Sequence, residues 1–152
     1  VALLWDKLED PFGAAIAGYV LLRTAARPEE RRARQDWMRN LADWFPLIPD
    51  GAVIYGASLL RGQEADDPAR AAEARSYLLE AVSRGIPTYT MGLRLLFDTL
   101  RSLAEEREDD AELAAALARV RSIAAYADWT AQTTTVSYSG RNVLESALEI
   151  PE

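Results

Sequence analysis

The chain has 152 residues, enough for one domain that buries roughly 70% of its unfolded surface, and 49% of them are apolar. Its net charge of −7 points away from nucleic acid and from anionic membrane surfaces, which attract basic patches. It has no Cys and no His, so it lacks the groups for Ser-His-Asp or Cys-His catalysis and for structural zinc, and it fits a cytoplasmic location.

Residues 1–10 read as an extended lead-in, without the basic region and cleavage site of a signal peptide. The chain starts with Val rather than Met, which reads as a piece cut from a longer protein. Asp10 as N-cap and Pro11 in the first turn open a helix over residues 11–25. That helix has almost no polar face, a pattern expected of a helix buried between others. Pro28 opens a second helix to about Phe45, with Trp37, Met38, Leu41, Trp44 and Phe45 on the 3.6-residue period.

Pro46 and Pro49 bracket a tight connection to a second apolar helix, residues 49–61, and residues 62–67 form a polar loop. Asp67 caps an amphipathic helix from Pro68 to Arg84, which has Ala71, Ala74, Leu78, Ala81 and Val82 on one face and ends at Gly85. The next helix is expected from Pro87 to about Arg107, with Leu93, Leu96, Phe97, Leu100 and Leu103 inward. Asp109 and Glu112 have capping-box spacing and open a last helix to about Tyr126. Residues 130–152 form a tail. Its Thr133 to Tyr138 stretch has the composition of extended chain or one short strand, beside which residues 1–9 have room to lie.

One motif is written twice. Pro11, Gly13, Ala14, Ile16, Gly18, Leu21, Leu22 and Arg23 recur as Pro49, Gly51, Ala52, Ile54, Gly56, Leu59, Leu60 and Arg61, at an offset of 38 residues. A weaker echo follows at Pro87, Gly92, Leu95 and Leu96. A period in the thirties is that of a two-helix solenoid unit. Gly inside a helix costs about 1 kcal/mol relative to Ala, so Gly18, Gly56 and Gly92 imply close approach of a neighbouring helix.

The helix-pair pattern over residues 11–126 resembles the tetratricopeptide and Sel1-like superfamily, best at Ala74, Tyr77, Leu78, Leu79, Ala81, Val82 and Gly85. The usual Trp, Gly and Tyr positions of a tetratricopeptide repeat are not in place. The stretch Trp37 to Gly51 is also similar to helical modules at the ends of large bacterial proteins with caspase-like peptidase domains. The first resemblance implies a right-handed, solenoid-like array of about six helices with a concave binding surface and no chemistry of its own.

Two charge clusters stand out. Glu105, Glu106, Glu108, Asp109, Asp110 and Glu112 lie at a helix junction, where caps and solvated charge are expected ahead of a cation site. The arginines of the second helix, with interleaved acids, read as a solvated face or as a docking surface for an acidic partner. The candidate partner-binding residues are Arg31, Arg34, Trp37, Arg39, Tyr77 and Tyr89, aromatics being frequent interface anchors. The expected function is a non-catalytic interaction or scaffolding module that binds a protein partner or docks an effector domain of the same chain, without a cofactor. The alternative is a small-molecule sensor or enzyme using Arg, Tyr and carboxylate groups in a pocket between helices.

Overall fold

In the computed structural model, which describes residues 10–61, 67–107 and 109–137, the chain forms six α-helices and no strand among those residues. They are α1 (Pro11–Arg23), α2 (Pro28–Trp44), α3 (Pro49–Leu59), α4 (Pro68–Arg84), α5 (Thr90–Glu106) and α6 (Ala111–Ala124). Pro opens α1 to α4, where its missing N–H costs no helical hydrogen bond. Asp10 accepts from Gly13 N at 2.8 Å and Asp67 from Ala69 N at 2.9 Å, so both cap their helices as the sequence implies. The cap of α6 is Asp110, one residue later than expected, accepting from Leu113 N at 3.0 Å. Gly85 terminates α4 at φ 127°, a conformation that a residue with a Cβ rarely adopts.

Helix α3 lies at the centre and packs on α1, α2, α4 and α5, while α6 covers α5 and α4. Nearly every residue of α3 is buried, as its apolar sequence requires. Each large side chain such as Ile54, Leu78, Leu93 or Leu100 that leaves water here contributes about 1.5–3 kcal/mol. The glycines of the repeated motif are where the helices close on one another. A Cβ on Gly18 would stand 2.8 Å from the Ile54 side chain, and one on Gly56 would stand 2.9 Å from Leu78. At Gly51 the obstacle is the carbonyl of Leu41, at 2.7 Å.

Helix α1 departs from expectation. Its sequence reads as buried on all sides, yet Phe12, Ile16 and Val20 are 48%, 50% and 55% exposed. They recur every four residues and form one apolar stripe, because α2 and α3 cover only the face with Ala14, Ala15, Gly18 and Tyr19.

The acidic junction is held by one arginine. Arg75 of α4 grips Asp110 at 2.6 and 2.9 Å and reaches Glu112 at 2.7 Å. This fork, with the cap bond to Leu113 N, holds the Asp110 carboxyl well below the usual carboxylate range. Among the described residues, no three Asp or Glu side chains converge as a metal site. No described helix is long and apolar enough to cross a membrane.

Candidate functional site

The most unusual side chain in the core is Asp50, fully buried in the first turn of α3. A buried carboxylate is tolerable only when its oxygens are bonded. Tyr19 Oη of α1 donates to Oδ1 at 2.6 Å, Thr88 N to Oδ2 at 2.7 Å and Tyr89 N to Oδ1 at 3.3 Å. Burial, and then the adjacent Asp50 charge, push the Tyr19 phenol well above its ordinary pKa, so it stays protonated and donating. Gly92 completes the arrangement, since a Cβ there would collide with Tyr19 Oη.

α5 starts at Thr90 and not at Pro87, and the chain just before it is tied to Asp50 and to the tail. The N–H groups of Thr88 and Tyr89 are taken by Asp50, and Thr90 N donates to Gln132 O of the tail at 3.1 Å. Thr134 N returns a bond to Thr88 O at 2.8 Å. The described part of the tail, residues 130–137, forms isolated antiparallel bridges, Tyr89 with Thr133 and Ala127 with Val136, in keeping with its β-branched composition. Residues 1–9, expected as its neighbour, lie outside the described residues.

Between α1, the start of α5 and the tail lies a cleft of about 620 Å³. Ile16 and Val20 form one wall, Met91 and Arg94 another, and Trp129 a third, with Tyr19, Tyr89 and Thr90 between them. Tyr89 is positioned by a hydrogen bond to Phe12 O at 3.1 Å and an edge-on contact with Tyr19, ring centroids 6.3 Å apart. Arg94 lies over the Trp129 ring at 5.1 Å. The buried Thr90 hydroxyl finds no hydrogen-bond partner among the described residues. The stripe of α1 thus continues into Met91 and Trp129, 46% and 38% exposed.

A second cleft, of about 900 Å³, opens on the other side of α1, among Leu21, Leu22, α2, the end of α3 and the start of α4. It holds Arg31, Arg32, Arg34, Arg61 and Arg70, with Asp36 and Glu73. Arg34 pairs with Glu30 at 2.9 Å and donates to Thr24 Oγ1 at 3.2 Å. Arg61 donates to Leu22 O at 2.7 Å, and Arg70 Nε to Leu59 O at 3.3 Å. Tyr55 Oη donates to Glu73 at 2.9 Å, and its ring meets Tyr77 edge-on, centroids 4.7 Å apart. Burial and the Glu73 carboxylate raise the Tyr55 phenol far above its ordinary pKa.

The structure divides the candidate residues of the sequence. Arg31 and Arg34 line the arginine cleft, and Arg39 and Tyr77 stand at its border through Glu73, Asp43 and Tyr55. Trp37 is 8% exposed and packs toward Gly18, so its ring belongs to the core. Tyr89 lies in the apolar cleft, apart from the others. Sequence reasoning missed Asp50, Ile16, Val20 and Trp129. The one available signal was Asp50 itself, an acid inside an otherwise apolar helix at the position where the first copy has Phe12.

Tyr19 Oη is held by Asp50, Tyr55 Oη by Glu73, and Ser58 Oγ donates to Tyr55 O within its own helix. A family model described as Y4kD C-terminal domain matches residues 1–150. No curated protein and no solved structure matches the chain.

Proposed function

The chain belongs to the Y4kD C-terminal domain family, and from that membership we propose that it is a non-catalytic helical-repeat interaction module that docks the preceding part of a larger protein. The observation that carries this reading is the apolar stripe of Phe12, Ile16 and Val20 running into Met91 and Trp129. A stripe of half-exposed large apolar side chains is stabilised by covering it.

The repeat indicates what covers it. In the second copy of the motif, Ile54 packs onto Gly18 of the first copy. Ile16 is the counterpart of Ile54, and it faces outward. A helix from the preceding chain, lying against α1 as α1 lies against α3, buries Ile16 in the same way. The main helix contacts run between helices one or two apart in the chain, which is the order of a solenoid and supports a repeat that extends past α1. The description of the family as a C-terminal domain supports a larger parent protein.

The test is a titration of this domain with the rest of its parent chain. Ile16→Asp and Val20→Asp are expected to weaken the complex by at least about tenfold, which is about 1.4 kcal/mol, while the circular dichroism of the free domain stays unchanged. Unaltered binding by both variants, or no association of the two pieces, rejects the reading.

A further inference from the structure

The arginine cleft is separate from the docking face and shares none of its lining residues. Its charge opposes that of the molecule. The chain carries −7, yet five arginines and two acids line the cleft, a local balance of +3. Glu73 is already an acceptor for Tyr55, and Arg34 is held by Glu30. Arg31 and Arg32 are exposed and make no hydrogen bond or ion pair with the described residues. The floor is different: Met38, Leu59 and the Tyr55 ring are buried and apolar.

We propose that this cleft binds a small organic polyphosphate, with its phosphates on Arg31, Arg32 and Arg61 and its organic body over the apolar floor. Three features favour that chemistry. The volume is that of a site for a compact organic ligand. Guanidinium groups bind phosphate oxygens through paired, charge-assisted hydrogen bonds. The arginines come from three elements, α2, the end of α3 and the start of α4, and so surround a compact multiply charged group.

The experiment is isothermal titration of the full chain with adenosine triphosphate, inorganic tripolyphosphate and an Asp/Glu peptide. Both polyphosphates are expected to bind with a Kd below about 1 mM at low salt and to weaken as salt rises, with the nucleotide tighter because its base adds contact to the floor. Arg31→Ala with Arg32→Ala is expected to weaken them by at least about tenfold, whereas Arg101→Ala with Arg119→Ala leaves them unchanged. Neither substituted pair holds the core, so folding is preserved. No binding up to about 10 mM, or equal loss in both double variants, overturns the site. Tighter binding of the peptide than of either polyphosphate overturns it in favour of a protein partner. Ile16→Asp destroys the docking face and is expected to leave polyphosphate binding intact, so failure of one site is distinguishable from failure of the other.

Discussion

The two copies of the motif have the same local sequence and opposite surroundings. Gly18 and Gly56 do the same work, each admitting a side chain from a neighbouring helix. The residues around them diverge. Ile54 is fully buried and Ile16 is half exposed. Asp50, a carboxylate, is sealed inside, while its counterpart Phe12 is an aromatic ring on the outside. Helix formation is set by the motif itself, but burial is set by what lies on the far side. Among the described residues, α3 packs chiefly on four helices and α1 chiefly on two.

The largest expected effects separate the copies directly. Ile54→Ala leaves a cavity at the contact with Gly18 and is expected to destabilise the fold by about 2–5 kcal/mol, read from the urea midpoint. Ile16→Ala in the free domain is expected to change it by under about 1 kcal/mol. Equal losses at the two positions would mean that α1 is enclosed like α3. Asp50→Ala strands one buried donor, Tyr19 Oη, and two partly buried ones, the N–H groups of Thr88 and Tyr89, and is expected to cost on the order of 2–3 kcal/mol, against under about 1 for Phe12→Ala.

Gly92→Ala is next, at about 1–3 kcal/mol, because its methyl collides with Tyr19 Oη. Adding Tyr19→Phe removes the colliding oxygen and is expected to recover part of the loss; additive losses in the double variant would place the strain elsewhere.

The smallest effect concerns a region without the motif, the α4–α6 junction, which is joined by charge where the copies are joined by apolar contact. Asp110 has a folded pKa below its unfolded one, so its contribution is fully present above the ordinary carboxylate range and fades as pH falls below about 4. Asp110→Asn is expected to flatten the acid limb of stability against pH, and an unchanged limb would remove Arg75 from the account. Ile54→Ala lowers the whole curve without altering that limb.

How much of this was legible beforehand follows from the range of each interaction. The caps at Asp10 and Asp67, the stop at Gly85 and the close-approach role of Gly18, Gly56 and Gly92 depend on residues nearby or on the glycine itself, and all were readable. The exposure of α1 was not, because an all-apolar helix looks the same whether two helices or four surround it. The segment before α5 is tied to Asp50, 38 residues before Thr88, and to Gln132, 42 residues after Thr90, and no local pattern records either. The arginines of α2 were visible as a cluster. That Arg61 and Arg70 join Arg31 around one space is a product of tertiary packing.

The partners of Tyr19 impose an order on assembly. During synthesis α1 emerges before the other described helices, and its packing against α2 and α3 waits for them. Its phenol has no acceptor until residue 50 appears, and Tyr89, which clips the first turn of α1 through Phe12 O, comes later still. The side-chain ties of α1 therefore close only after residues 50 and 89 have been made, long after its own backbone hydrogen bonds can form.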